Sequence, residues 1–279
     1  MMADIMDFIR PTNAFELAAF AKNHHDTYQF IEPIGTELSG KSILITGASK
    51  GIGRATAVRC AKAGCARIAV AARSSLEGVI KEIKDEAAKL LARISKLLLG
   101  GKLDILVNNA GYLPEFKTVI ESDPTEWWKA WEVNVKGTFL CCHYFLPFVL
   151  NSKTKTVINL SSIGAHTLSY GASSYQTSRF ANVRLNEFLA REYEDDELIA
   201  ISIHPGGIKT DMAANFPEML HFSLADEPTL PADTIIWLAK ERRNWLNGRF
   251  VWSNWDLEEV ESKQDLIVEN DLFKFRMTG

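Results

Sequence analysis

The stretch from Ser42 to Ala63 limits the fold more than any other. Ser42–Thr46 (SILIT) is a short apolar run, the pattern of a strand buried on both faces of a parallel sheet. It passes directly into Thr46-Gly47-Ala48-Ser49-Lys50-Gly51-Ile52-Gly53. Ile52–Ala63 then carries good helix formers up to a stop at Gly64. Glycines between a strand and a helix let the backbone turn tightly and come close to a pyrophosphate, which sits against the helix N-terminus. By itself such a turn is a weak signal, because many strand-to-helix turns contain glycine.

The unit repeats along the chain. Strands are expected at Ile68–Ala72, Leu103–Val107 (LDILV), Thr156–Leu160 (TVINL), Leu198–Ile203 and Phe250–Trp252, the last following the Asn247-Gly248 turn. Helices are expected over Ser74–Leu99, from Asp123-Pro124 toward Phe145, and over Tyr175–Tyr193. Strands that alternate with helices make an α/β fold with a parallel sheet covered on both faces. The chain has 279 residues, 47% hydrophobic and 24% charged, enough for a sizeable core, and no Pro/Gly/Ser-rich linker divides it. We therefore expect one domain over 41–279, preceded by an extension over 1–40. In the extension, Asn13 and Glu16 have the spacing of a capping box for a short helix over Ala14–Lys22, and His24 and His25 read as a solvated loop.

The second strand ends in Ala71-Ala72-Arg73. In a dinucleotide fold this position meets the adenosine ribose, where an acidic residue suits the 2′-hydroxyl of NAD and an arginine suits a 2′-phosphate. Lys50 adds a second cation, and the two point to NADP(H). Further along, Asn108-Asn109-Ala110-Gly111 follows LDILV, Ser161-Ser162 follows TVINL, and Tyr175-Gln176-Thr177-Ser178-Arg179 opens a helix. Asn134 stands in Asn-Val-Lys-Gly, and Pro205-Gly206-Gly207-Ile208 leads to Thr210.

With the glycine turn, these segments come in the order and spacing of the short-chain dehydrogenase/reductase family, which the chain resembles from about Lys41 to Asp211; its general look is that of fungal members. The resemblance implies a doubly wound Rossmann fold that moves a hydride between NADP(H) and a carbonyl or alcohol carbon of a small molecule. It gives Tyr175 the part of general acid or base. It makes Ser162, thirteen residues earlier, the donor to the substrate oxygen, while Ser161 points elsewhere. Asn134 would hold a water in a proton relay. Gly47, Ser49, Lys50, Gly51, Ile52, Gly53, Arg73, Asn108, Ala110, Gly111, Tyr175, Arg179, Pro205, Gly206, Ile208 and Thr210 would hold the cofactor. Residues 212–245 would supply a substrate lid, with Met212, Phe216, Met219, Leu220 and Phe222 as apolar candidates. A homodimer or homotetramer, packed through the helices after Asn108 and Ser162, follows by analogy.

The chain departs from the family twice. Arg179 stands one turn after Tyr175, where the family has a lysine that binds the nicotinamide ribose and lowers the tyrosine pKa. An arginine keeps the charge and the helix face but has a wide planar fork, so weakened catalysis is expected. Between Arg73 and LDILV the family has a further strand. Here Ser74–Lys102 reads as helix alone, so the third, edge strand is expected to be missing or short, with part of the adenine pocket. Both departures leave an alternative: a catalytically impaired relative acting as a binding or partner subunit.

Composition excludes other classes. A formal net charge of -4 argues against nucleic acid or an acidic membrane surface as partner. Cys60, Cys65, Cys141 and Cys142 have no metal-ligand spacing and read as thiols of a reducing compartment. No apolar run approaches the roughly 18 residues of a membrane span, and Asp4, Asp7 and Arg10 interrupt any leader-like start. A cytoplasmic protein without a metal is expected. Trp237, Trp245, Trp252 and Trp255 are expected in the core or a subunit interface.

Overall fold

The computed structural model describes residues 9–10, 18–86 and 101–276. Its centre is a six-stranded, wholly parallel sheet of β1 (Ser42–Thr46), β2 (Arg67–Ala71), β3 (Ile105–Asn108), β4 (Thr156–Leu160), β5 (Ile199–His204) and β6 (Phe250–Trp252). The order across the sheet is β2-β1-β3-β4-β5-β6. The winding reverses between β1 and β3, so a crevice opens beyond the carboxyl ends of those two strands.

Alternation along each strand divides the core into two layers. Ile43, Ile45, Ile105, Val107, Ile158 and Ile201 face one side, under α1 (Gly51–Lys62) and α6 (Thr229–Lys240). Leu44, Leu106, Val157 and Ala200 face the other, with Cys142, Leu146 and Val149 of α4 (Gly137–Leu150) and Leu189 of α5 (Ser173–Glu192). Because both faces are covered, the strands carry apolar runs instead of an apolar–polar alternation.

β2 is the edge strand, and only Ile68 in it is fully buried. Among the described residues no strand lies outside it. The helix expected over Ser74–Leu99 is present as α2 (Glu77–Glu86), and residues 87–99 fall outside the described ones.

The N-terminal extension is not an appendage. The helix expected over Ala14–Lys22 lies mostly outside the described residues, but residues 18–40 form a belt packed into the main core. Leu38 and Ile31 are buried there, Leu38 N–H donates to Ala63 O, and Asp256 N–H donates to Lys22 O. The packed unit thus begins before residue 41. His24 is not solvated either: its ring stacks on Tyr28 (3.7 Å) and its Nε2 meets Asp256 Oδ2 at 2.8 Å. The contacts of Lys22 and His24 with Asp256 join segments more than two hundred residues apart, so local spacing carries no sign of them. The lid expected over 212–245 is shorter as well, because α6 is buried along nearly its whole length and belongs to the core. Trp237, Trp252 and Trp255 are core residues, and Trp245 is half-buried against them.

Pro124–Leu150 is continuous, running as α3 (Pro124–Trp131), a π-helical turn (Glu132–Lys136) and α4. Asp123 caps it by accepting from Glu126 N–H at 3.0 Å. Its 27 residues are long and apolar enough, by length and composition, to cross a membrane, which contradicts the count made from the sequence. Charged residues in its first turns hid the average. Ala130, Asn134, Thr138, Cys142, Leu146 and Val149 bury one side of it against the sheet.

A buried ion pair joins the belt to the core: Arg59 Nε donates to Asp233 Oδ1 at 2.6 Å, and Thr27 Oγ1 donates to Asp233 Oδ2. Asp233 is 0% exposed. Arg59→Leu would leave that carboxylate buried without its cation, and breaking such a pair costs about 3–5 kcal/mol. Urea unfolding should show a loss of that size, with most of it recovered when Asp233 is replaced by Leu in the same chain.

Candidate active site

At the switch point, the first turn and the Asn-Asn-Ala-Gly turn are sewn together. Asn109 Nδ2 donates to Thr46 O (2.8 Å) and Gly47 O (3.2 Å), and the N–H groups of Asn109 and Ala110 both reach Thr46 Oγ1 at 3.1 Å. A Cβ on Gly53 would lie 2.4 Å from Asn109 Nδ2, and one on Gly47 (φ +68°) 2.8 Å from Ala110 Cα. These two glycines are there for close approach. Asn109 itself has no place among the residues expected to hold the cofactor, because its task is to join two turns.

The crevice opens into a cleft of about 530 Å³. Gly47, Ser49, Lys50, Gly51, Ile52, Arg73, Asn108, Ala110, Gly111, Tyr175, Arg179, Pro205 and Thr210 all line it, as expected of a shared site. No side chain caps α1 and no acidic residue stands in its first turn, so its N-terminus is open to an anion. At one end, Ser49 Oγ and Ser74 Oγ are 2.8 Å apart beside Arg73. Lys50 has a different partner from the one expected: its Nζ reaches Asp211 Oδ2 at 2.6 Å across the mouth of the cleft, and holds that carboxyl below the usual range. Both groups are exposed, so the pair is weak and easily exchanged.

Gly53, Gly206, Ile208 and Asn134 are not among the residues that line the cleft, and Ser162 stands beside Gly164 at its end. Gly206 (φ +96°) leaves room for Asp226, which accepts from Gly207 N–H at 2.6 Å and from Asn254 Nδ2 at 3.0 Å and meets His25 Nδ1 at 2.6 Å. Ile208 is buried and forms a bridge with Asp226. Asn134 sits in the π-helical turn, a kind of bulge frequent at functional sites. Its Oδ1 accepts from Tyr112 N–H, and its Nδ2 donates to Tyr112 O and Ser178 Oγ. The side chain thus pins the loop after β3 to α5.

At the other end stands the pair expected to act on the substrate. Tyr175 is at the start of α5, and Ser162 follows β4. Both bracket Gly164: a Cβ there would be 3.3 Å from Ser162 Oγ and 3.5 Å from Tyr175 Cε1. Ser162 Oγ accepts from Gly164 N–H, which leaves its hydroxyl hydrogen for another acceptor. Ser161 does point elsewhere, donating to Arg179 O at 3.1 Å. The guanidinium of Arg179 lies 5.0 Å from the centre of the Tyr175 ring, and its Nη1 donates to Leu160 O at 2.9 Å.

The lid, residues 211–223 in two short 3₁₀ turns, closes over this end. Asn215 Nδ2 donates to Leu113 O, and Phe216 meets Phe116 at 5.8 Å. Met212 lines the cleft and Leu220 is buried, while Phe222 is exposed and lines nothing.

Two histidines brace the catalytic segment. His204 Nδ1 accepts from Ile163 N–H, which puts its proton on Nε2, and burial lowers its pKa to about 4. His166, stacked on Phe275 at 4.3 Å, is lowered to about 4 for the same reason. Both are neutral when folded and titrate near 6.5 when unfolded. Their stabilisation is therefore whole above pH 6.5 and is lost as pH falls from 6.5 toward 4. The loss is on the order of 3 kcal/mol per histidine. Melting temperature should fall steeply over that window, and His166→Phe should flatten part of the slope.

The sequence profile of the short chain dehydrogenase family matches residues 41–221. The chain is similar to the short chain dehydrogenase mpl6 of Monascus purpureus, with 40% identity over 280 residues, covering 92% of this chain and 95% of that one. Among solved structures it is similar to a short chain dehydrogenase of Shigella flexneri complexed with NADP, at 27% identity and a TM-score of 0.68, covering 77% of this chain and 98% of that one. It is also similar to the 3-ketoacyl-(acyl-carrier-protein) reductase of Brucella melitensis complexed with NADH, at 25% identity and a TM-score of 0.68, covering 77% and 97%.

Proposed function

This chain belongs to the short-chain dehydrogenase family of oxidoreductases, and we propose that it is an NADP(H)-dependent enzyme acting on a carbonyl or alcohol carbon of a small organic molecule. The observation that carries this reading is the placement of Ser162 and Tyr175 on either side of Gly164, at the end of a cleft that begins at an uncapped helix and Arg73. The residues fit the cofactor. The open α1 N-terminus would take the pyrophosphate, and Arg73 with Ser49 and Ser74 suits a 2′-phosphate better than a bare ribose hydroxyl. Arg179 would face the nicotinamide ribose. When bound, the nicotinamide supplies the hydride in one direction and accepts it in the other.

The protein's own groups handle the proton and the oxygen. In the reductive direction Ser162 Oγ–H and Tyr175 Oη–H both donate to the substrate oxygen, and the Tyr175 proton passes to it as charge develops there. In the oxidative direction the phenolate takes the proton back. The Arg179 guanidinium lies 5.0 Å from the centre of the Tyr175 ring, beside the group that exchanges the proton. The lid excludes water from the reacting end.

Titration with NADPH and NADH, followed by ligand fluorescence, is the first test. NADPH should bind at least about tenfold more tightly, and Arg73→Glu should remove that gap. Tyr175→Phe should lower turnover of a carbonyl substrate by about 10²–10⁴ while leaving NADPH binding in place. If neither nucleotide binds, the reading as a partner subunit takes over.

The same proposal extends to assembly. Trp128, Phe139, Leu140 and Tyr144 stand exposed on the long helix, and Phe180 and Phe188 on α5. A helix apolar on its outer side as well as its inner one needs a second cover. A second copy of the chain packed on these helices fits, and the four free thiols fit a reducing, cytoplasmic setting. Light scattering should give a dimer or tetramer, and Phe139→Glu with Phe188→Glu should give a folded monomer; a monomeric parent would refute it.

A further inference from the structure

The buried side of α5 is polar where a core helix is usually apolar. Tyr175, Arg179, Asn182 and Asn186 follow one another at helical spacing, all of them buried. Their neighbours on the sheet are polar too, because Asn108, Asn159 and Ser202 stand opposite one another in register on β3, β4 and β5. Part of this seam is satisfied. Asn108 Nδ2 donates to Asn159 Oδ1, Asn159 Nδ2 to Asn186 Oδ1, and Asn186 Nδ2 to Ala200 O.

The part nearest the catalytic tyrosine is not. Arg179 Nε, Asn108 Oδ1 and both amide atoms of Asn182 are buried with no hydrogen-bond partner. The three residues are 4%, 4% and 1% exposed. All three residues lie along this seam. Arg179 Nη1 is held by Leu160 O, and Leu160 directly follows Asn159, the register partner of Asn108. Asn182 is three residues beyond Arg179, on the same buried face. Side chains on a helix tilt toward its N-terminus, which carries the Asn182 amide up toward the base of the Arg179 fork.

The unmatched groups are complementary: one cationic N–H donor, two carbonyl acceptors and one NH₂. An internal water has the matching capacity, accepting from Arg179 Nε–H and donating to Asn108 Oδ1 and Asn182 Oδ1, and buried waters typically make about three such bonds. We propose that Asn182 is a positioning residue for Arg179, acting through one enclosed water that it shares with Asn108. The consequence is geometric. With Nη1 on Leu160 O and Nε on the water, the planar guanidinium cannot rotate, and Nη2 faces the cleft beside Gly111. A Cβ on Gly111 would come within 2.3 Å of Nη2, so a side chain at 111 would push the end of the fork aside. Asn182 thus accommodates an arginine at this place on the helix. A lysine has no Nε–H and would have no use for it. The effect on turnover rests on the oxidoreductase reading above; the water and the held guanidinium do not.

Two measurements test this. A crystal structure at a resolution that shows waters should have one within hydrogen-bond distance of Arg179 Nε, Asn108 Oδ1 and the Asn182 amide. A dry seam, or direct bonding of Arg179 Nε to a protein atom, overturns the proposal. The second measurement is a double-mutant cycle on NADPH affinity and kcat, using Asn182→Leu and Arg179→Lys. In the parent chain Asn182→Leu should weaken both by about tenfold, and Asn182→Ser, which can still hold a water, should restore most of the loss. In the Arg179→Lys chain Asn182→Leu should change neither. Equal effects in the two backgrounds would mean that Asn182 only fills the core, and the proposal fails. If Asn182→Leu does not fold, Asn182→Val takes its place in the cycle. If the chain binds neither NADPH nor NADH, the oxidoreductase reading falls, and the density at Arg179 Nε still decides the proposal.

Discussion

The whole arrangement depends on the join made by Asn109 between the carboxyl ends of β1 and β3. Parallel strands diverge at a switch point, and only side-chain bonds can hold their two turns at a fixed distance. Asn109 does so with two side-chain donations to the first turn, and Thr46 Oγ1 accepts two more from the backbone N–H groups of Asn109 and Ala110. The helix N-terminus that would hold an anion and the turn that ends at Gly111 are therefore one rigid edge of the cleft. The side chain that makes the join has no contact with chemistry, yet its displacement would shift both walls at once.

The sheet has lost ground on one side and gained it on the other. With β2 at the edge among the described residues, that end of the cleft is lined by Arg73 and Ser74. On the opposite side, residues 18–40 wrap the C-terminal segment and bring His24, His25 and Thr27 against Asp256, Asp226 and Asp233. Asp226 links this belt to the turn after Pro205, so the base of the lid is tied to the N-terminal belt through one carboxylate. The chain thus places its most strongly held contacts at the nicotinamide and substrate end, and leaves the adenosine end more open.

At the catalytic end the physical question is how a wide, planar cation is placed beside a phenol. Burial alone would leave an arginine free to swing between several acceptors. The backbone carbonyl of Leu160, the missing side chain of Gly111 and the ring of Tyr175 confine it from three directions. The polar seam under α5 offers the fourth. None of these partners is near Arg179 in sequence except Tyr175, one turn away.

The sequence by itself determined the fold class, the strand positions and the roster of the cleft, because these follow from local signals. Apolar runs of strand length mark a parallel sheet, glycines mark the turns that must be tight, and Asn-Asn-Ala-Gly, Ser-Ser and Tyr-x-x-x-Arg sit at strand ends and a helix start that hydrophobic patterning already predicts. A missing third strand was expected for the same reason, because no β-branched run stands between Arg73 and Leu103. Only the tertiary structure decided how those residues divide the work. Lys50 turns to Asp211, Asn134 pins Tyr112 and Ser178, Asn109 joins two turns, and Asp226 and Asn182 enter as supports that no motif contains. Residues 18–40 become part of the core, and the lid shrinks to its first half. Each of these outcomes depends on partners tens or hundreds of residues away, and hydrogen bonds at that separation leave no periodicity and no spacing to read.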